Sequence, residues 1–310
     1  MAKRQELERR GLWLSVLGAL LMAALGIGFA ILTSSDAVLL DGVFSFVGCA
    51  VGFVSLRVAH LIARPDDETF HFGYSAYEPM LNLTKGLLMG VVSLFAFVSS
   101  ITVAVHGGRA IEAGWATVYA VLAALGCFAI AVVQRVLAAS TRSPLLQVDA
   151  NNWLVDGLFS AAVALAFLIA TILEGTKYDR WLPYADPLIV AVLVLISLPV
   201  PIMIIRDNWN QLVGKAPHRK IQDRADKVVS AILSDVATVD TNIRMQQWGR
   251  LTYLQLYVIC EPVMNCDLKE LDKYREQIAN ALAKEFDNLA LDVVFTQDTQ
   301  WVAASIGIEK

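Results

Sequence analysis

Six apolar runs fill the first two thirds of the chain, near 12–33, 37–63, 80–105, 114–138, 145–173 and 184–205. A helix needs about 20 such residues to cross a bilayer, and each run is long enough. From about residue 206 the pattern becomes polar and its apolar positions follow shorter periods. Residues 217–235 place Ile221, Ala225, Val228, Val229 and Ile232 at helical spacing, with Pro217 suited to the first turn. TNIRMQQWG and RLTYLQLYVIC read as two strands of a hairpin around Gly249. DLKELDKYREQIANALAKEF is a second helix, with Leu268, Leu271, Ile278, Leu282 and Phe286 on one side and Asp267 at its N-cap. LALDVVFTQ is a closing strand. The pattern predicts a six-helix, all-α transmembrane domain over 1–213. A small α+β domain of order α-β-β-α-β follows over 214–310, with its helices on one sheet face.

Composition and charge sharpen this picture. Charged residues make up 17% of the 310, against about 25% in a soluble domain. Lys3, Arg4, Arg9 and Arg10 precede the first run; Arg57, Arg64, Arg135 and Arg142 flank the even-side loops; Arg206, Lys215, Arg219 and Lys220 follow the sixth run. The opposite loops hold Arg109, Lys177 and Arg180. The positive-inside rule then puts both termini in the cytoplasm, as an even number of spans requires. No cleavable signal and no transit-peptide composition is seen, which favours a prokaryotic cytoplasmic membrane. A net charge of −4 argues against a nucleic-acid partner. Cys49 and Cys127 read as inert thiols within spans, and Cys260 and Cys266 flank a turn on the cytoplasmic side, where disulfides rarely persist.

The informative residues are aspartates inside the apolar runs: Asp41 in LLDGVFSFVG, and Asp149 and Asp156 in VDANNWLVDGLFSAAVALAFLIA. A carboxylate at membrane depth costs about 3 kcal/mol on insertion scales, so a chain keeps one that pairs, binds a cation or carries protons. Asp41 and Ser45 are four apart, as are Asn152 and Asp156; each pair shares a helix face, and Asp149 lies one turn earlier on the same side. If the faces meet, two carboxylates neutralise one divalent cation, and a hydroxyl and an amide oxygen replace part of its water shell. Ser45 and Asn152 also have an ordinary reading as interhelical hydrogen-bonding groups, and Asp149, nearer the membrane edge, as a cap. No Lys or Arg lies in the middle of a span to neutralise the aspartates. Gly42, Gly48 and Gly157 would let helices approach closely.

Several stretches, in order, resemble the cation diffusion facilitator family: RPDDETFHFGYSAYE (64–78), VDANNWLVDG, YADPLIVAVLVLISLPV, NWNQLVGKAP and DVVFTQD. The resemblance covers nearly the whole chain. It implies a homodimeric, six-span exporter of divalent metal cations with a cytoplasmic ferredoxin-like domain. It also implies a secondary transporter that exchanges metal for protons by alternating access, with no prosthetic group. By position, the transport site falls on Asp41, Ser45, Asn152 and Asp156. Ser45 stands where the family usually has Asp, and Asn152 where it often has His or Asp. Asp67 and Tyr74 fall on the loop's accessory site, with Tyr74 in place of the usual His, and Tyr257 and Thr296 stand where zinc-binding relatives have His, leaving Asp298; the resemblance therefore implies that these second and third metal sites are lost or much weakened, with Asp149, Asp67 and Asp298 as candidate accessory carboxylates.

Those departures carry chemistry. Zinc favours nitrogen and sulfur ligands and hard cations favour oxygen, so an all-oxygen set tilts toward manganese, with zinc, iron and cobalt as competitors. Of the four residues, only Asp41 and Asp156 can take up a proton. A degenerate relative that senses metal or scaffolds partners without moving metal is the alternative. An enzyme is disfavoured: the chain has no HExxH, no Gly-rich phosphate loop and no nucleophile–base pair.

Overall fold

The computed structural model describes residues 2–33, 36–108, 115–173, 182–234, 238–261 and 267–302. Seven helices come first: α1 (Ala2–Thr33), α2 (Asp36–Ile62), α3 (Tyr77–Val105), α4 (Trp115–Thr141), α5 (Pro144–Leu173), α6 (Leu182–Ser197) and α7 (Pro199–Leu212). They occupy the six apolar runs. Arg4–Phe29, Ser45–Ile62, Tyr77–Val105, Thr117–Thr141 and Val190–Leu212 are long and apolar enough to cross a membrane. The fifth run forms α5, a helix of 30 residues. The loop positions Arg109, Lys177 and Arg180, and Cys266, lie outside the described residues.

The sixth run is two helices rather than one. Pro199 and Pro201 have no N–H to give to the preceding turn, and the ladder breaks between Ser197 and Pro199. It resumes at once, because the Leu198 amide donates to the Val194 carbonyl at 2.8 Å and Ile202 donates to Leu198 at 3.4 Å. Pro199 takes the first position of α7, where a missing N–H leaves no extra gap in the ladder.

The chain divides into two compact units, Met1–Asn208 and Trp209–Lys310. In the first, α1 packs on α2 and α4, and α4 packs on α5; α3 packs on α6, which also leans on α5. Small residues set these approaches, since lipid gives helices no hydrophobic reason to associate. A Cβ on Gly26 would lie 2.6 Å from the Gly42 Cα, so α1 and α2 cross backbone against backbone. Gly157 seats α5 against the Phe128 ring and the Cys127 Cβ. Gly48, expected to do the same, has nothing among the described residues within 4 Å of its Cβ position.

Buried polar groups then fix α5 in register. The Trp153 indole donates to Ser15 Oγ at 2.7 Å. Gln134, itself fully buried, donates to the same hydroxyl at 3.1 Å and to the Gly11 carbonyl at 2.8 Å. Ser143 donates to Glu8 Oε1 at 2.6 Å beside the start of α5. Each such bond nets only about 1 kcal/mol, but leaving either partner unpaired would cost more. Together they tie α1, α4 and α5 at defined rotations.

The second unit holds α8 (Arg219–Leu233), β1 (Thr238–Trp248), β2 (Leu251–Cys260), α9 (Leu268–Glu285) and β3 (Leu289–Thr296). This is the expected α-β-β-α-β order. Gly249, at φ 57°, supplies the left-handed residue of the two-residue turn between paired Trp248 and Leu251. β1 pairs antiparallel with β2, and β3 pairs parallel with β2, Leu256 opposite Val293. The parallel pairing demands a crossover, which α9 provides. Leu254, Leu256 and Val258, all fully buried, meet Val229, Ile278 and Leu282 in one core. One expectation is corrected: Pro217 precedes the His218 cap instead of entering α8. Asp267 occupies the N-cap of α9 as expected, although its side chain makes no capping bond.

Candidate functional site

The transport-site candidates sit on two helices of the first unit. Asp41 begins one face of α2 and Ser45, half-buried, follows one turn on; the Asp41 side chain lies outside the described residues. Asp41 is adjacent to Gly42, so the α1–α2 crossing fixes its depth. On α5, Asn152 is half-buried and Asp156 exposed. The Asn152 Oδ1 atom is buried and accepts no hydrogen bond. Trp153, anchored to Ser15, sets the rotation that aims this face.

The structure pairs Asn152 with Asp156 through the helix itself. Among the described residues, α2 and α5 each touch both α1 and α3. Among the described residues no three His, Cys, Asp or Glu side chains gather. The set expected here has two carboxylates and two neutral oxygens.

Asp149 has a different partner. The expectation that no basic side chain meets the span aspartates fails for it. Lys85 Nζ lies 2.5 Å from Asp149 Oδ1, with the two side chains 1% and 8% exposed. Lys85 lies about two turns into α3, and Asp149 between one and two turns into α5. A carboxylate and an ammonium both removed from water persist only when paired this closely. Sequence reasoning passed over Lys85. Its signal was a lone cation in LNLTKGLLMG, at a depth matching that of Asp149. Asp149 Oδ2 keeps no hydrogen-bond partner, and neither does Asn82 Oδ1, one turn before Lys85.

The outlying accessory carboxylates are both engaged by their own neighbours. Asp67 closes a tight loop: Thr69 and Phe70 each donate a backbone N–H to Oδ1 at 2.9 Å, and the Tyr74 hydroxyl donates to Oδ2. The Tyr74 bond, then the two amides, hold Asp67 below the ordinary carboxylate value of 3.8; the same bond raises Tyr74. A folded-state pKa that is depressed adds stability above the ordinary value, and that stability is lost as pH falls through the folded one. The loop is therefore intact at neutral pH and loosens only in acid below about pH 3.8. Amide exchange at Thr69 and Phe70 should lose protection in that window and in Asp67→Asn, with Tyr74→Phe having a smaller effect.

Asp298 is a cap for the 3-10 turn Thr299–Val302. Gln300 donates to Oδ1 through its amide at 2.9 Å and to Oδ2 through its side chain at 2.5 Å. Thr296 Oγ1 and the Asp298 backbone bond each other, at 3.1 and 3.0 Å. Tyr257 is buried, with the Arg244 guanidinium 5.2 Å over its ring. Tyr253 donates to Asp292 Oδ2 at 2.6 Å, and that bond pushes its pKa up to about 12. These positions offer a cation no nitrogen or sulfur donor.

With this geometry in view, the likenesses to known proteins are informative. The family model described as "Cation efflux transmembrane domain" matches residues 12–213. Over 291 residues the chain is 19% identical to the manganese efflux system protein MneP of Bacillus subtilis (strain 168), covering 93% of this chain and 95% of that protein.

Proposed function

This chain belongs to the cation efflux family, and on that premise we propose that it exports a divalent metal cation, manganese before zinc, iron or cobalt. The metal is its substrate, held in transit by Asp41, Ser45, Asn152 and Asp156. The observation that carries this is the buried, unpartnered Asn152 Oδ1 one turn before Asp156. A bare acceptor in an apolar domain costs about 1–3 kcal/mol, and a cation passing along α5 offsets that cost. The donor set is all oxygen, which suits a hard cation, and MneP is by its name a manganese efflux protein.

The mechanism follows from charge. A doubly positive ion crosses the lipid only when neutralised, and Asp41 and Asp156 carry two negative charges. Returning empty, the same two groups carry protons, which makes the cycle an exchange of metal for protons by alternating access. The functional form is a homodimer in a prokaryotic cytoplasmic membrane, both termini inside, in keeping with Lys and Arg on the even-side loops.

The test is uptake into inverted vesicles of manganese, zinc, iron, cobalt and magnesium, beside Asp41→Ala. Manganese uptake that is saturable, dissipates a proton gradient and vanishes in Asp41→Ala is the expected result. Binding without flux would instead favour the non-transporting sensor, for which the Ser45 and Asn152 departures speak.

A further inference from the structure

We propose that Lys85 determines the charge of the cation that the transport site accepts, by cancelling Asp149 and leaving Asp41 and Asp156 as the two effective negative charges. This rests on the transport site proposed above. Asp149 lies one turn before Asn152 and two before Asp156 on α5, about 4.5 and 10 Å along the axis. Uncompensated, it would be a third carboxylate beside the path. Three carboxylates around a doubly positive ion leave a net negative charge in an apolar domain, which carries a solvation penalty of its own. The Lys85 ammonium, 2.5 Å from Asp149 and equally buried, brings the sum of Asp41, Asp149, Asp156, Lys85 and a divalent cation to zero.

The pair also bridges the seam between α3 and α5. α3 is packed chiefly on α6, and α5 on α4 and then α6; direct contact between α3 and α5 is smaller than any of these. Lys85 reaches across to Asp149 Oδ1 and leaves Oδ2 bare. Asn152 Oδ1 further along α5 is bare as well. Lys85 thus holds one oxygen of a carboxylate whose other oxygen, with the Asn152 amide, faces no donor of the protein. It acts on the cation through Asp149, as a positioning and charge-setting residue.

The experiment is equilibrium binding of Mn2+ to the purified full chain in detergent, reading free Mn2+ by electron paramagnetic resonance. Asp149→Asn leaves Lys85 as a lone positive charge. At about 10 Å and an effective dielectric of about 20, that charge repels a divalent ion enough to raise Kd by about a hundredfold, and tenfold is a conservative floor. Lys85→Gln leaves Kd unchanged or lower. Lys85→Arg and the double variant Lys85→Gln/Asp149→Asn keep the net charge, and the double variant keeps a hydrogen bond across the seam, so both stay within about threefold of wild type. A rise in Kd for Asp149→Asn with no rise for Lys85→Gln is the signature. A purely structural clasp would weaken binding in both alike, or change thermal stability with Kd untouched, and either result overturns the proposal. If the single variants do not fold, the double and Lys85→Arg decide it: a tenfold loss in either overturns it. Asp156→Asn measured alongside separates the two readings. Loss of binding there with Asp149→Asn unchanged removes only the role of Lys85. No change in Asp156→Asn removes the transport site itself.

Discussion

Asp156→Asn is expected to reduce manganese flux by at least about a hundredfold, the equivalent of about 2.7 kcal/mol. The substitution keeps the shape and one acceptor oxygen, so α5 folds as before, and Trp153 still holds it to Ser15. What it removes is one of two negative charges set against a doubly positive ion. The ion would then cross an apolar domain with a net positive charge, and that costs several kcal/mol whatever oxygens surround it. Because Asp156 is also one of two proton carriers in the proposed cycle, residual flux should lose much of its dependence on pH. Flux into proteoliposomes, measured from pH 6 to 8, checks both parts. Undiminished flux with an unchanged pH profile would remove Asp156 from the site and the exchange mechanism with it.

The second large effect concerns packing. Gly26→Leu should abolish transport and lower stability by about 1–3 kcal/mol or more. Its first added carbon would lie 2.6 Å from the Gly42 Cα and 2.9 Å from the Gly42 nitrogen. Those are backbone atoms, so no rotamer change relieves the clash and the helices must part. Parting them moves the residue beside Gly42, Asp41, off its depth. Gly48→Ala is the control, with nothing among the described residues within 4 Å to meet. It should leave transport intact and raise stability by up to about 1 kcal/mol through helix propensity. Thermal unfolding in detergent, with flux measured on the same preparations, distinguishes crowding at one glycine from a general intolerance of larger residues.

Gly26 and Gly48 differ for a reason that lies outside their own helices. Both sit in apolar helices and look alike in sequence. Among the described residues only Gly26 has a neighbouring helix within 4 Å, because which face of a span meets another helix depends on residues far away in the chain.

The helices, their order, the hairpin at Gly249 and the closing strand were legible in the sequence, because length, periodicity and turn chemistry act over a few residues. The same holds for the aspartates within apolar runs, since burying charge in lipid is costly wherever the partner lies. Tertiary structure alone decided what Asp149, Asp67 and Asp298 meet. Asp149 was open to several readings until Lys85, 64 positions earlier, appeared against it. Asp67 and Asp298 looked like spare ligands until their own loops were seen to use them. The parallel β2–β3 pairing likewise emerged only in three dimensions. A charge declares its cost in sequence, but its compensation depends on distance, and distance between remote residues is set by how the whole chain packs.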